Sequence, residues 1–358
     1  MAILAPIAVS IWYVPFRLSR LLKLGRPWRL YVAVAVTVLL SFTGMAAFAT
    51  FSKPILDTVA TVAGLIFYAH VLLSILLLAL DATRLVVRIP DRLGVWLAVG
   101  VAVLLTFIGG WRASALNIET IEIPIVGLQK DVTLMHISDA HIGMHRGRSY
   151  LDQIVRETNR LQPDLVLITG DLVDGNSALE PGVLSPLREL SAPAYFTTGN
   201  HEGYIDTERA LEIIASHGIR ILHNEVVETH GLQLVGLDYM KADEDAIPDR
   251  EVNQFTIKDE LPKIPLFEEK PVVLMHHSPV GLEHVTARGV ELMLSGHTHA
   301  GQAFPATLFT PLVFPLNKGL YERDGTYFFV SEGAGTFGPR IRLGTSNAIT
   351  LIRLVPAS

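Results

Sequence analysis

Five short apolar segments of the sequence each end in an aspartate, an asparagine or a histidine, the residue types that bind metal ions and transfer protons. These side chains are Asp139, His141, Asp171, Asn200, His201, His276, His297 and His299. In open α/β sheets the carboxyl ends of the strands lie along one edge, and ligands bind there. The pattern therefore predicts that the polar side chains converge on one site.

The spacing within two of the motifs also favours metal binding. Asp139 and His141 are two residues apart, as are His297 and His299. In extended backbone such side chains point to the same face, so that each pair can hold one ion. Glycines directly precede the polar residues of three motifs, at positions 170, 199 and 296. They suit tight turns that bring the backbone close to a bound group.

The absence of cysteine restricts the chemistry of this site. Because the chain contains no cysteine, it has neither disulfides nor thiolate ligands nor a cysteine nucleophile. Seven nitrogen and oxygen ligands drawn from these eight side chains favour Mn²⁺, Fe, Zn²⁺ or Co²⁺. So many imidazoles make Ca²⁺ and Mg²⁺ less suitable. Seven ligands are too many for one tetrahedral zinc. The composition of the set therefore favours two divalent ions.

The ordered motifs resemble those of the calcineurin-like metallophosphoesterase family, which are DxH, GD, GNH, a single histidine and GHxH. Here they read Asp139-Ala140-His141, Gly170-Asp171, Gly199-Asn200-His201, His276 and Gly296-His297-Thr298-His299. The resemblance covers about residues 131 to 353. The segments SDAHIG and GHTHAGQ are similar to a bacterial subgroup in which the domain follows transmembrane helices. That subgroup more often carries leucine at 140, glycine at 300 and a basic residue at 332, where this chain has alanine, alanine and glutamate.

The resemblance implies a dinuclear centre that hydrolyses phosphoesters with a metal-activated hydroxide. It assigns Asp139, His141, Asp171 and His299 to one metal and Asp171, Asn200, His276 and His297 to the other, with Asp171 bridging the two ions. It makes His201 the catalytic residue, a histidine that binds no metal and lies near the leaving group. We interpret His136, within an apolar strand, and His277, beside a predicted ligand, as structural.

Charge separates the chain into two parts. Residues 1–116 carry a net charge of +7 and residues 117–358 a net charge of −13. Two divalent ions against Asp139 and Asp171 leave a net charge of about +2, which attracts an anionic phosphate into the acidic part. A nuclease is a disfavoured alternative, because proteins that track nucleic acid need a positive surface. A second alternative is a membrane sensor or transport accessory that binds a phosphorylated ligand without catalysis.

The first part of the chain has the composition of a membrane anchor. A bilayer crossing takes about 20 apolar residues. Leu30–Phe51 and Ile55–Leu80 are long enough, Leu93–Gly110 is just long enough, and Ala2–Phe16 is shorter and contains two prolines. We predict three to four transmembrane helices in residues 1–116. Lysines and arginines gather at positions 17–29 and 84–92, which predicts that these connections are cytoplasmic. The prediction is a multi-pass protein of the cell (inner) membrane, with residues 117–358 on its extracytoplasmic face.

Residues 117–358 alternate β-rich and helical patterns, which indicates a layered α/β architecture. The family resemblance specifies it as an α/β sandwich, with two central mixed sheets flanked by helices. The predicted strands are Val132–Ser138, Leu165–Thr169, Ala194–Thr198, Leu232–Leu237, Val272–His276, Glu291–Ser295, Tyr327–Ser331 and Ala348–Arg353. The predicted helices are Tyr150–Leu161, Thr207–His217 and Val280–Arg288.

Two segments of this part stand outside the regular pattern. Lys241–Lys263 is acidic and weakly periodic, and we interpret it as a surface excursion. Phe304–Leu316 is apolar, rich in proline and uncharged. We favour a loop packed on the domain, while a hydrophobic lip that touches membrane lipid or a lipid-linked phosphoester is the alternative. The sequence leaves the oligomeric state open.

Overall fold

The computed structural model describes residues 4–48, 54–143, 146–240, 255–267 and 269–357. The chain forms two compact units, Met1–Arg112 with Gly338–Leu343, and Ala113–Phe337 with Gly344–Ser358. The composition placed the division after residue 116. Residues 113–116 belong to the second unit, where the side-chain amide of Asn347 donates to the carbonyl oxygens of Ala113 (2.8 Å) and Ala115 (3.0 Å).

The first unit consists mainly of apolar helices. They are α1 (Leu4–Leu21), α2 (Pro27–Phe48), α3 (Pro54–Thr83) and α4 (Asp91–Arg112). Among the described residues, the stretches Thr61–Thr83 and Asp91–Arg112 are long and apolar enough to cross a membrane, and Pro27–Leu40 is a shorter apolar stretch. The predicted spans Leu30–Phe51 and Ala2–Phe16 fall on α2 and α1, but their residues 49–51 and 2–3 lie outside the described part of the chain.

Polar contacts and an apolar cluster join these helices to one another. Arg17 of α1 forms an ion pair with Asp81 of α3, and the Tyr13 hydroxyl donates to the same carboxylate at 2.7 Å. Val14, Leu77 and Ala98 form a buried cluster between α1, α3 and α4. Because charged groups are costly in an apolar environment unless they are paired, the ion pair favours a fixed position of α1 on α3.

The second unit is built on two six-stranded sheets. The first has the order β1-β14-β2-β4-β6-β7, the second the order β12-β13-β11-β10-β9-β8, and β3 pairs with β5 alone. The strands are β1 (Asn117–Ile125), β2 (Val132–Ile137), β3 (Ile142–Gly143), β4 (Leu165–Thr169), β5 (Val173–Asp174), β6 (Ala194–Thr197), β7 (Arg220–Ile221), β8 (Glu225–Thr229), β9 (Leu232–Gly236), β10 (Val272–Met275), β11 (Leu292–Ser295), β12 (Gly319–Arg323), β13 (Thr326–Val330) and β14 (Ala348–Pro356).

Helices lie beside the sheets of this unit, and all of those described except the last cover the outer face of a sheet. They are α5 (Arg148–Leu161), α6 (Thr207–Ser216), α7 (Ile257–Glu260), α8 (Leu282–Ala287) and α9 (Ala306–Val313), with 3-10 turns at Asn176–Leu179, Ser185–Glu189, Glu202–Tyr204, Leu261–Lys263 and His299–Gly301. One apolar cluster, which includes Leu134 and Leu294, fills the space between the sheets. A second packs α5 and α6 on the first sheet, and a third packs α7 and α8 on the second. The predicted α/β sandwich flanked by helices is confirmed.

The predicted strands and helices of this unit are present, with small differences at their ends. The strands that the sequence did not predict include β1, β8 and β12, each of which lies at the edge of a sheet. Edge strands expose one side of the backbone and many side chains, so their sequences lack the continuous apolar run of a central strand.

The surface excursion predicted at Lys241–Lys263 lies partly outside the described residues, which resume at Phe255. Its described part is not a simple surface loop, because α7 and the turn that follows bury Ile257 and Leu261 against the second sheet. Thr256 caps α7 by accepting from the backbone N–H of Asp259 and donating to its carboxylate. α7 spans four residues, which is too short a segment for the spacing of its apolar residues to predict a helix.

Candidate metal centre

The candidate site lies at the carboxyl ends of parallel strands from both sheets. β2, β4 and β6 pair in parallel, with Thr169 of β4 opposite Thr197 of β6. In the second sheet β10 and β11 pair in parallel, with Met275 opposite Leu294. The residues that follow these strands therefore meet at one edge, which is where α/β sheets bind ligands.

The backbone at these strand ends is left-handed at several candidate ligands. Positive φ angles occur at Asp139 (54°), His141 (46°), Asp171 (50°), His297 (67°) and His299 (48°). The expectation that Asp139 and His141 share a face because their backbone is extended is therefore wrong: β2 ends at Ile137, and both residues lie in the turn beyond it. Residues other than glycine adopt this conformation at a cost, and such strain is characteristic of functional sites.

One group of ligand atoms consists of Asp139, His141 and His299. His299 Nε2 lies 3.2 Å from Asp139 Oδ1 and 3.0 Å from His141 Nε2, and His141 Nε2 lies 4.0 Å from the same carboxylate oxygen. All three side chains are buried. Two imidazole nitrogens and a carboxylate oxygen thus face a common point, which is the donor set that a divalent transition metal prefers.

A second group consists of Asp171, His277 and His297. His277 Nε2 lies 3.2 Å from Asp171 Oδ2 and 3.2 Å from His297 Nδ1. Asn200 adds an oxygen, because its Oδ1 lies 3.0 Å from His297 Nδ1 while its amide nitrogen donates to the hydroxyl of Tyr204. This group therefore offers two imidazole nitrogens, one carboxylate and one amide oxygen.

The structure does not bring His276, which the sequence predicted as a ligand, into either group. Its Nδ1–H donates to the carbonyl oxygen of Ser278 (2.7 Å), and its Nε2 accepts from the backbone N–H of Met240 (3.2 Å). Both ring nitrogens are therefore used within the protein. His277, which we interpreted as structural, has its Nδ1–H bonded to the carbonyl oxygen of Thr169 (2.8 Å), so that Nε2 faces Asp171. A backbone bond of this kind fixes the tautomer of a metal-binding histidine.

Asp171 belongs to the second group and also faces His141 of the first. Its Oδ2 is 3.2 Å from His277 Nε2 and 3.8 Å from His141 Nε2. Its Oδ1 accepts the backbone N–H of His201 at 2.8 Å, which holds the carboxylate in place. Two sets of donor atoms that share one carboxylate fit a pair of divalent ions. A dinuclear centre depends on this arrangement.

Two glycines allow the strand ends to approach one another this closely. A Cβ on Gly199 would lie 2.2 Å from Asp171 Oδ1, and a Cβ on Gly296 would lie 2.0 Å from Ser138 Oγ and 2.1 Å from Asp139 Oδ2. Such distances are far below van der Waals contact, so larger residues would displace the carboxylates. The sequence predicted that these glycines bring the backbone close to a bound group, and in the structure they bring the strand ends close to one another.

His201 lies beside the carboxylate of Asp174, the last residue of β5. Its Nδ1 is 3.1 Å from Asp174 Oδ1, and its Nε2 is 3.9 Å from Asp171 Oδ2. Burial lowers the pKa of His201, but Asp171 and Asp174 together raise it to about 9. Asp174 was not among the predicted site residues, although its position three residues after Asp171 was a usable signal.

Glu202, the residue after His201, ties the ligand-bearing turns together. Its carboxylate accepts the backbone N–H groups of Gly199 (2.7 Å), Asp171 (2.9 Å) and Val173 (3.2 Å). The side chain is fully buried, and burial together with Asp171 raises its pKa to about 7. Glu202 was not predicted either, since its partners are backbone groups from two different turns.

Electrostatic interactions within the site favour ionised carboxylates. Burial alone would raise the pKa of Asp139 and Asp171, but the neighbouring histidines hold both below the usual range. Burial lowers the pKa of His141 to about 3, which leaves this ring neutral. Burial opposes protonation of His277 as well, but Asp171 and Asp139 outweigh it and raise the pKa of His277 to about 10. A divalent ion binding at His277 would replace that proton.

Aromatic side chains surround the histidines. The Phe337 ring lies 5.3 Å from that of His299, the Tyr204 ring 5.0 Å from that of His201, and the Phe314 ring 5.5 Å from that of His297. Phe337 remains 48% exposed. These rings limit access of water to the ligand atoms, which strengthens electrostatic interactions there.

Comparisons with known proteins identify the family to which the chain belongs. The family model described as calcineurin-like phosphoesterase matches residues 132–301. An uncharacterised metallophosphoesterase of Aquifex aeolicus is 30% identical over 249 residues, which cover 68% of this chain and 91% of that relative. The chain belongs to the calcineurin-like phosphoesterase family.

Two further relatives are longer proteins. An uncharacterised metallophosphoesterase of Helicobacter pylori is 34% identical over 235 residues, which cover 64% of this chain and 61% of the relative. A protein of Danio rerio described as a transmembrane protein with metallophosphoesterase domain is 33% identical over 263 residues, which cover 67% of this chain and 58% of the relative. The matched region thus spans about three fifths of the length of these two relatives.

Proposed function

We propose that this protein is a metal-dependent phosphohydrolase with a dinuclear centre. The observation that carries the proposal is the convergence of two groups of ligand atoms, Asp139–His141–His299 and Asp171–His277–His297, whose side chains are buried except for the half-buried His297. Membership of the calcineurin-like phosphoesterase family supports it. The net charge of −13 on residues 117–358 favours a compact phosphoester over a nucleic acid, because nucleic-acid binding relies on basic surface.

The proposed ligands differ from those implied by the family resemblance at one position. Asp139, His141, Asp171 and His299 would hold one ion, and Asp171, Asn200, His277 and His297 the other, with His277 in place of His276. Their mixture of imidazole, carboxylate and amide suits Mn²⁺, Fe, Zn²⁺ or Co²⁺. When bound, two such ions would supply a hydroxide nucleophile and positive charge for the phosphoryl oxygens.

The chain itself would supply a proton for the leaving group. His201 lies beside Asp171 but belongs to neither proposed ligand set, and Asp174 accepts a hydrogen bond from its Nδ1–H. That bond orients the ring and leaves Nε2 directed toward the site. His201 Nε2 would therefore donate a proton to the oxygen of the departing alcohol, or stabilise its charge.

We further propose that the protein is anchored in the cell (inner) membrane by several of its N-terminal helices, with the hydrolase domain on the extracytoplasmic face. The two long apolar helices and the basic connections at residues 17–29 and 84–92 support this. α4 ends at Arg112 and β1 begins at Asn117, a step of roughly 18 Å at most. A domain held this close to a bilayer is suited to phosphoesters at or near the membrane surface, including lipid-linked ones.

The catalytic proposal is tested with the full chain, purified in detergent, stripped of metal and reloaded with single metals. We expect hydrolysis of an aryl phosphodiester or phosphomonoester that requires added metal. Asp171→Ala should lose bound metal and activity, whereas His201→Ala should keep its metal and lose most of its activity. If the wild type and both variants hydrolyse these esters equally poorly, the protein is not a hydrolase and a binding role takes its place.

The proposed orientation has a separate test. A phosphatase reporter fused after Ser358 should be active in whole cells, because such reporters fold outside the cytoplasm, whereas a reporter fused within residues 84–92 should be inactive. The reverse pattern would place the hydrolase domain in the cytoplasm and contradict the proposal, without affecting the chemistry of the site.

A further inference from the structure

Helix α9 presents an apolar face to solvent on the second unit. Leu308, Phe309 and Leu312 are 61%, 60% and 81% exposed, and none of the residues of α9 is buried. Leu308 and Leu312 are four residues apart, so they lie on the same side of the helix. No charged residue occurs between Phe304 and Leu316. Contiguous exposed apolar side chains of this kind mark an interaction surface.

The first turn of α9 lies close to the point at which the chain enters the second unit. Asn347 binds the carbonyl oxygen of Ala113, the residue that directly follows α4. Gly344 precedes Asn347 by three residues, which is roughly 11 Å of extended chain. A Cβ on Gly344 would lie 3.7 Å from Thr307 of α9. Within the second unit, the first turn of α9 is therefore close in space to the segment that holds Ala113 in place.

The other end of α9 reaches the candidate metal centre. α9 ends at Val313, and the next residue, Phe314, packs edge-on against the ring of His297 at 5.5 Å. His297 Nδ1 is one of the ligand atoms of the second group. The exposed apolar face and the site are thus joined by one short, continuous segment.

We propose that α9 is a membrane-docking helix, whose residues Leu308, Phe309 and Leu312 enter the boundary between lipid head groups and acyl chains. The proposal rests on the membrane anchoring proposed above, since the anchor keeps α9 beside a bilayer. An uncharged apolar face matches that boundary, where buried apolar area provides the binding energy. Docking of α9 on the bilayer would bring the metal centre close to phosphoesters in the same leaflet.

The test uses the absence of cysteine from the chain, which allows a single fluorescent label at any position. In the full chain, Leu312→Cys reports on α9. Leu78→Cys, on an exposed position of α3, reports on the anchor, and Glu212→Cys, on an exposed position of α6, is the aqueous control. Each labelled protein is placed in phosphatidylcholine–phosphatidylglycerol nanodiscs and quenched either by brominated acyl chains or by aqueous iodide.

We expect the label at position 312 to lose intensity to brominated lipid, as the label at position 78 does, while the label at position 212 responds only to iodide. If position 312 behaves like position 212 while position 78 responds to lipid, α9 does not dock on the bilayer and the proposal is overturned. If position 78 also fails to respond to lipid, the proposed membrane anchor is wrong. Docking of α9, which depends on that anchor, is then wrong as well.

A functional arm distinguishes the bilayer from other occupants of this face. The double variant Leu308→Glu/Leu312→Glu should lower hydrolysis of a phosphodiester embedded in vesicles by about tenfold, with hydrolysis of a soluble aryl phosphodiester unchanged. Leu320→Glu, the same change at an exposed leucine of β12, is the matched control and should leave both rates unchanged. Equal loss on both substrates in the double variant overturns the proposal. The proposal is also overturned if the wild type proves to be a dimer and the double variant a monomer, with lipid quenching unchanged. That result would identify a second copy of the chain as the occupant of this face.

Discussion

His276 and His277 are neighbours in the sequence, yet their ring nitrogens have different partners. Both Nδ1 atoms donate to backbone carbonyls. What separates the two residues is Nε2, which in His276 accepts from the backbone of Met240 and in His277 faces Asp171. A metal ion needs the lone pair of one ring nitrogen. At His277 the ion would take the place of the Nε2 proton that faces Asp171, whereas at His276 it would break the hydrogen bond from the backbone of Met240.

This difference leads to a prediction for two alanine variants. His277→Ala should weaken binding of one ion by at least about 100-fold, since loss of a direct ligand costs at least as much as loss of an outer-shell partner. His276→Ala should retain both ions, although it removes two buried hydrogen bonds and lowers the thermal stability. Elemental analysis after dialysis against metal-free buffer measures the outcome. Retention of two ions by the His277 variant, with loss of one by the His276 variant, would restore the original assignment.

Asp174 acts on the reaction through His201 rather than on the substrate. Asp174→Asn should lower kcat by about 10- to 100-fold, because the ring loses the acceptor that orients its Nδ1–H. The metal content should not change, and the alkaline limb of the pH–rate profile should move to lower pH, because Asp174 raises the pKa of the proton donor His201. Asp206→Asn, an exposed carboxylate that caps α6, is the control and should leave kcat unchanged. An unaltered pH profile in the Asp174 variant would show that this residue does not position His201.

The sequence predicted most of the residues that meet at the site, because polar residues after apolar strands follow from the chemistry of α/β sheets. It did not distinguish His276 from His277, because that choice is made by partners distant in the sequence. Thr169, which binds the His277 ring, is 108 residues away. Glu202 and Asp174 were missed for a similar reason, since their role depends on which backbone and side-chain groups surround them after folding.

At the scale of the elements, central strands were predictable and edge strands were not. β4 and β10 are buried along their whole length and read as continuous apolar runs. β12 alternates exposed and half-buried residues and has no buried position, so neither its composition nor its period identifies it. The backbone of the strand ends was also unpredictable, because the left-handed turns at Asp139 and His141 depend on contacts with the next strand rather than on local preference.

Close packing of the strand ends makes a prediction for Gly296. Gly296→Ala would place a Cβ against Asp139 and Ser138, and should destabilise the fold by about 1–3 kcal/mol as overpacking does, with reduced metal content. Gly147→Ala is the matched control: its Cβ would meet no atom within 4 Å, and its φ of −96° suits alanine. Thermal unfolding and elemental analysis of both variants measure the effect. Equal stability of the two would indicate that the Gly296 turn can widen at no cost.

At the scale of the whole molecule, the metal-free protein should lose stability as the pH rises. The pKa of His277 is raised to about 10 and that of His201 to about 9, from an ordinary value of 6.5. A raised pKa means that the folded state binds the proton more tightly, so this stability is fully present below pH 6.5 and is lost as the pH passes through 9 to 10. Bound metal should remove the contribution of His277, because the ion replaces its proton.

Melting temperatures of chelated and metal-loaded protein at pH 6.5 and about 9.5 test this linkage. The chelated protein should melt at a lower temperature at the higher pH, and the metal-loaded protein should change much less. His230→Asn, at a histidine that lies outside both ligand groups, should leave the difference unchanged. A chelated protein that is equally stable at both values would show that neither histidine is protonated in the fold.

The position of β14 has a consequence for how the protein is made. This strand lies between β1 and β2, parallel to the first and antiparallel to the second, and Asn117 pairs with Ala348 across more than 200 residues. The ribosome produces β1 and β2 early, but until residues 348–356 exist β1 has no partner in the sheet and β2 can pair only with β4. If the domain is exported, nearly all of it must cross the membrane as an open chain before its first sheet can close. A chain that stalls before β14 would expose two strand edges to proteases, so only complete chains would survive to bind metal.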